Sequence, residues 1–428
     1  MAFVGGVGGG SIYIPSGNWY FKTVGGPQNE FVLPQSNVTL FGDGDTSAIR
    51  IAPGLNTVGF GGYGAVFGFS PGTATPTDNV TFRNFLVDCN SAFNQFPPNP
   101  DPKTQFGGVA IPWNTAVAIP AGNNVVVDSV SVINHNGVFV IAVGTSGRPD
   151  KLANYRVSNC YAYHLADDPN LFDRSWFLVA GTHGVVTGNR IDWGGTDNLA
   201  SYPYGCAAGT GIEIHGAATV LAHNVIIGAA TGINVGPDSY DMADCMIVDN
   251  IIQEATAGIN LVCGNGFLAQ RVEMARNLIT IIEDLRSLPG SEEMGINLGS
   301  GGLAFGVGVF DLRVHDNSII FTGTGSHELS AGIRLGSILL AADVQSGGAN
   351  TGGLTVTIAE RASSTPYSGF ATPPSNMYSF KGFRYCCTVE STTTAASPPH
   401  PPPYQPSRAR RSRTRTAPIR QTSSAAAL

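Results

Sequence analysis

The chain has 428 residues, more than one compact core usually takes, with 55 glycines, only 12% charged residues and a net charge of −7. That composition suits short strands and tight turns rather than long amphipathic helices, and no apolar run of about 18 residues is present to span a membrane. The charge is uneven: residues 390–428 carry six arginines against one glutamate, leaving 17 basic and 29 acidic residues, or −12, elsewhere. An acidic body of this kind argues against nucleic acid as a partner.

In chain order, Met1 to Gly10 is glycine-rich and lacks the basic, apolar and cleavage segments of a secretory signal. Ser11-Ile12-Tyr13-Ile14 alternates and breaks at Pro15-Ser16-Gly17, a strand followed by a turn. Similar text follows at Asn37-Val38-Thr39-Leu40 and Asn79-Val80-Thr81-Phe82. Residues 91–123 are rich in proline and asparagine and read as a long loop. The repeat resumes at Asn124, with Gly137-Val138-Phe139-Val140 and then Trp176-Phe177-Leu178-Val179 at equivalent points.

From residue 211 the pattern sharpens. Gly211-Ile212-Glu213-Ile214 recurs as Gly232-Ile233-Asn234-Val235, Gly258-Ile259-Asn260-Leu261, Gly295-Ile296-Asn297-Leu298 and Gly332-Ile333-Arg334-Leu335. Between these phrases stand Asn224-Val225-Ile226, Asn250-Ile251-Ile252, Asn277-Leu278-Ile279 and Asn317-Ser318-Ile319. Such a unit cannot bury its apolar face alone, and stacking one on the next solves that. The expected fold is therefore all-β: a right-handed parallel β-helix over residues 1–360, one repeat per coil. Residues 361–428 become Pro-, Ser- and Arg-rich and read as a disordered tail. The turn asparagines Asn159, Asn189, Asn224, Asn250, Asn277 and Asn317 are expected to stack and hold the backbone. Cys89, Cys160, Cys206, Cys245 and Cys263 lie in strand text as small buried hydrophobes; the pair Cys386-Cys387 lies outside the repeats.

Three segments carry a family resemblance. Gly8-Gly9-Gly10-Ser11-Ile12-Tyr13-Ile14-Pro15-Ser16-Gly17, Leu40-Phe41-Gly42-Asp43-Gly44 and Val87-Asp88-Cys89-Asn90 together resemble the opening of the pectate-lyase-like superfamily of β-helix proteins. The aspartate-rich segment and capping helix usual in that superfamily are missing, which implies a shortened chain. The resemblance implies the fold but leaves the chemistry open, since the superfamily includes lyases, hydrolases, epimerases and phage tailspikes.

Alternation along a strand turns Ile212, Ile233, Ile259, Ile296 and Ile333 inward, and so Glu213, Asn234, Asn260, Asn297 and Arg334 outward. That is a polar stripe along one wall, suited to hydroxyl-rich sugars. The equally simple alternative is an ordinary solvent-facing sheet surface. His215 follows Glu213 by two residues. Hydrolysis of a glycosidic bond needs paired carboxylates, and Asp167 and Asp168, with His164 before and His183 after, form the densest carboxylate cluster. Asp167-Asp168 followed by Gly181-Thr182-His183-Gly184 is similar to motifs of the polygalacturonase branch. It departs in an interval shorter than a coil and in Asp192, where that branch has lysine. Asp88, Asn134, His135 and His164 fall at similar points of successive coils as a second groove wall.

The expected catalytic set is thus Asp167, Asp168, Glu213 and His215. His135, His164, His183, Asn234, Asn260, Asn297 and Arg334 are expected to bind substrate. The expected activity is polysaccharide cleavage, with hydrolysis favoured over elimination because carboxylates and histidines outnumber outward basic groups. No cofactor is required, although Ca²⁺ beside Arg334 would serve a lyase. The alternative is a non-catalytic glycan-binding or structural shaft, such as a tailspike or adhesin. The chain is expected to be extracellular or virion-associated, a monomer or homotrimer, with a polysaccharide partner and no membrane contact.

Overall fold

The computed structural model describes residues 8–22, 30–32, 34–55, 65–68, 76–94, 115–135, 137–145, 147–163, 175–192, 209–236, 240–262, 267, 269–283, 294–298, 309–310, 312–323, 331–335 and 355–356. All of them fall in one unit, Met1–Ser391. The expected boundary at residue 360, the tail beyond it, Cys206, Cys263 and the Cys386-Cys387 pair lie outside the described residues.

The strands stack in parallel into sheets of 18, 10 and 3 strands. One coil shows the plan. Thr210–Ile214 lies on the ten-stranded sheet; Val220–Ala222 and Val225–Ile227 lie on the large sheet, separated by a corner at Asn224. Thr231–Val235 then lands beside Thr210–Ile214, with Ile212 opposite Ile233. The chain is therefore a parallel β-helix whose successive coils lie about 4.8 Å apart.

The inward columns make one continuous core. Ile212, Ile233, Ile259 and Ile296 are fully buried and meet Ile226, Ile252 and Ile279 from the opposite wall, while Ile333 is partly buried. The recurrent glycine follows from that meeting. A Cβ on Gly211 would stand 2.5 Å from Ile226 Cγ2 and 2.6 Å from the Gly232 carbonyl oxygen; Gly232 meets Ile252 in the same way. The backbone conformation at these glycines is ordinary, so what excludes a side chain is the close approach of the isoleucine and of the next coil's carbonyl.

The asparagine corner supplies the second regularity. Asn189, Asn224, Asn250, Asn277 and Asn317 are buried and stacked. Asn224 Nδ2 donates to Asn250 Oδ1 at 2.9 Å, and Asn250 Nδ2 donates to Asn277 Oδ1 at 3.0 Å. Each amide also closes on a backbone carbonyl, as Asn250 Nδ2 does on Leu221 at 3.0 Å. Asn159 is a correction. It sits at φ 54° one residue before the row, which instead ends on the Cys160 N–H donating to Asn189 Oδ1 at 2.9 Å. The left-handed positions equivalent to Asn159 are Gly188, His223, Asp249, Arg276 and Asp316.

A second correction concerns the coil before residue 175. Phe177 pairs with Ile141 and Leu178 with Ala142, so the segment equivalent to Trp176–Val179 is 140–143, three residues beyond the expected Gly137–Val140. Cys89, Cys160 and Cys245 are buried, as small core residues should be. Burial pushes the Cys160 thiol up to about 12 and the Cys245 thiol up to about 11. Among the described residues no helix is long and apolar enough to cross a membrane.

Candidate functional site

The outward position of the ten-stranded sheet changes character along the helix axis. Ala118, Ala142 and Leu178 occupy it first, all buried in one apolar cluster with Ala65, Val138 and Phe139. One coil later Leu178 is followed in register by Glu213, then by Asn234, Asn260, Asn297 and Arg334. A buried apolar wall gives way to a polar column, and Glu213 stands at the change.

Glu213 is held from both sides. Its side chain is 20% exposed, and Ser175 Oγ, from the start of the preceding strand, donates to Oε2. On the other side Oε1 lies 2.7 Å from His215 Nε2. His215 follows the end of its strand with its N–H bonded to the Val179 carbonyl, and its ring is nearly buried. The ring's Nδ1 lies 2.6 Å from the carbonyl oxygen of Gly236, one coil on. Three residues from three coils thus fix one partly exposed carboxylate: Ser175 and His215 touch it, and Gly236 holds His215. Two of them, Ser175 and Gly236, are absent from the expected site. Ser175 shares a register position with Thr210, which alignment of the phrases could have revealed; Gly236 contributes only a carbonyl, which no residue motif advertises.

Below Glu213 the amides form a directed row. Asn260 Nδ2 donates to Asn234 Oδ1 at 3.1 Å, and Asn297 Nδ2 donates to Asn260 Oδ1 at 2.7 Å. Every donor points back toward Glu213. Asn234 and Asn260 are half-buried, and Asn297 is buried. Arg334 continues the row by backbone register with Asn297; its side chain is outside the described residues.

The other expected residues lie elsewhere or outside the description. His135 is buried, and its Nδ1 accepts the Gly137 N–H at 3.2 Å. His183 is exposed at φ 57° on a turn three positions past the level of His215, in a column continued by Ala218, Asp244 and Arg271. In that column Arg271 grips Asp244, with Nη2 at 2.8 Å from Oδ2, and holds its carboxyl below the usual carboxylate range. Asp88 accepts from Arg50 Nη1, Asn134 Nδ2 and the Asn90 N–H, at 2.9, 2.9 and 3.0 Å. That is a brace between coils. His164, Asp167 and Asp168 lie outside the described residues. Among the described residues no cluster of three His, Cys, Asp or Glu side chains is placed to hold a metal ion.

No protein-family model and no curated protein sequence matches the chain. Among solved structures, the chain is similar to a mutant tailspike protein of E. coli bacteriophage HK620 in complex with a pentasaccharide. Identity is 19% and the TM-score 0.62 over 78% of this chain and 54% of that one. The unsubstituted tailspike protein of the same phage, also with pentasaccharide, gives 15% and 0.53 over 78% and 60%. The chain thus spans a little over half the length of these tailspikes. At this identity the likeness is one of fold, the right-handed parallel β-helix of the pectate-lyase-like class.

Proposed function

We propose that this β-helix of tailspike type holds a polysaccharide along the outward polar column of its ten-stranded sheet. The observation that carries the reading is the unbroken register of Glu213, Asn234, Asn260 and Asn297 on one wall, continued at Arg334. Short amides fixed by one another lose little entropy on binding and offer both donors and acceptors, which is what a hydroxyl-rich chain requires. At about 4.8 Å per coil they present one amide at each step along the helix axis. The solved tailspikes of the same fold carry a pentasaccharide, which supports the choice of ligand class. A virion-associated or extracellular place and a monomeric or trimeric state go with this reading.

Cleavage is the second reading, favoured by Glu213 alone. A partly exposed carboxylate, fixed by a hydroxyl and an imidazole, is built as general acid–base machinery is built. Hydrolysis would take Asp167 or Asp168 as the second carboxylate. Elimination would take Arg334 as base; among the described residues no three carboxylate or imidazole groups are placed to hold a Ca²⁺ that would stabilise the enolate.

A panel of purified bacterial O-antigens and polyuronates, tested for binding and then by product mass, separates the readings. Binding without new chain ends supports the holding role, and products heavier by one water support hydrolysis. Binding to none of them by wild type, or equal binding by wild type and Asn234→Ala/Asn260→Ala, sinks the assignment of this wall.

A further inference from the structure

The Glu213–His215 contact leaves its proton to be assigned, and the residue that assigns it lies on the next coil. A backbone carbonyl oxygen only accepts hydrogen bonds. His215 Nδ1 lies 2.6 Å from the Gly236 oxygen, so Nδ1 carries a hydrogen. Imidazole free in water favours the other tautomer, with the hydrogen on Nε2; the fold reverses that preference. Nε2 then faces Glu213 Oε1 at 2.7 Å with one proton between them. Ser175 Oγ, a donor, occupies Oε2, which keeps the shared proton at the Oε1 end.

Gly236 also makes the room. A Cβ there would stand 3.0 Å from His215 Cε1 and 3.4 Å from Nδ1, so any side chain presses on the ring. Its backbone is outside the left-handed region, and the restriction is therefore one of space, not of torsion.

We propose that Gly236 is the positioning residue of this site: its carbonyl fixes the hydrogen of His215 on Nδ1 and thereby leaves Glu213 Oε1 and His215 Nε2 sharing a single proton. The carboxylate and imidazole then act as one neutral unit with a single exchangeable proton between Oε1 and Nε2. The tautomer stands on geometry alone; only the use of the proton rests on the glycan reading above.

The test is a side-chain 1H–15N spectrum of the full chain labelled at histidine nitrogen, with His215 assigned by its absence in His215→Asn. The expected result is a protonated Nδ1 in wild type. In Glu213→Gln, whose amide can donate to Nε2, the expectation is a protonated Nδ1 beside a bare Nε2. In Gly236→Ala the hydrogen moves to Nε2 while the circular dichroism of the sheets is kept. A bare Nδ1 in wild type overturns the proposal, as does Nδ1 losing its hydrogen in Glu213→Gln. Should Gly236→Ala fail to fold, the first two spectra decide alone. Glycan binding is scored on the same samples, so a protein that binds no polysaccharide yet keeps Nδ1 protonated refutes the function and leaves the tautomer standing.

Discussion

Asn224 and Asn250, one coil apart, are joined twice: the Asn224 side-chain amide and its backbone N–H both donate to Asn250 Oδ1, at 2.9 and 3.1 Å. The same double bond joins Asn250 to Asn277 and Asn277 to Asn317. The corner of the β-helix is thus a chain of amides in which each member satisfies the backbone of its neighbour.

Removing a middle member should therefore cost more than its own bonds. Asn250→Ala takes the acceptor from one hydrogen of the Asn224 amide and from the Asn224 backbone N–H, and a donor from the Leu221 carbonyl, while the Asn224 amide keeps its bond to the Val186 carbonyl. At roughly 1 to 3 kcal/mol per unsatisfied group, partly relaxed, a loss of about 3 kcal/mol is expected. Asn250→Asp should be worse at neutral pH, because its second oxygen would face the Asn277 oxygen and the Leu221 carbonyl, both acceptors. Denaturant midpoints of the three proteins check the order, and Asp standing above Ala would show that the row is not directional.

The glycine phrase makes a second, independent demand. Gly232→Ala brings a methyl against Ile252 Cγ2 and the Gly258 carbonyl, an overpacking expected to cost about 1 to 3 kcal/mol. Combining it with Ile252→Ala should cost less than the sum of the two single changes, since one steric conflict is removed. The relief will be partial because the carbonyl stays. Strict additivity in a double-mutant cycle would mean that the glycine is there for another reason.

These two features explain what was legible in the sequence. The phrases Gly211-Ile212-x-Ile214 and Asn224-x-Ile226 each recur with fixed internal offsets while the loops between them vary, and an offset that survives variable loops must be a register, so the inward core and the outward polar column could be read directly. Ser175 escaped because its coil has Trp176 where the later coils have glycine, which hides the start of the strand. His183 was misplaced because the asparagine that fills its left-handed corner in earlier coils, last at Asn154, gives way to His183, Ala218, Asp244 and Arg271, so the pattern stops where it was needed. The equivalent of Gly211 was sought at Gly137 because a glycine was expected; the position is filled by Val140, and the glycine there is incidental.

The buried thiols give a chemical test of the core. Cys160 and Cys245 hold their protons to about 12 and about 11 because a thiolate has no water to solvate it there. Folded protein treated with iodoacetamide at mildly alkaline pH should remain unmodified at Cys89, Cys160 and Cys245, and denatured protein should react at all three. Peptide mass mapping reads each site separately. The sign of the linkage also follows: a thiol harder to ionise when folded favours unfolding as pH rises above the ordinary thiol range. Alkylation of Cys160 in the folded state would place it outside the core.

The polar column makes the sharpest functional prediction. Asn260 both donates to Asn234 and accepts from Asn297, so Asn260→Ala removes one sugar-facing amide and frees its two neighbours to turn. Loss of one or two hydrogen bonds at about 1 kcal/mol each corresponds to roughly a tenfold weaker dissociation constant. Asn260→Asp keeps an acceptor for Asn297 but sets an oxygen against Asn234 Oδ1, and it adds a charge beside the glycan. On the wall proposed here a neutral polysaccharide should therefore lose affinity in both variants, and an acidic one more in Asn260→Asp than in Asn260→Ala. Titration calorimetry with the polysaccharide retained from the panel measures this. Unchanged affinity in both, with the fold intact, would place the glycan on a different face of the coil.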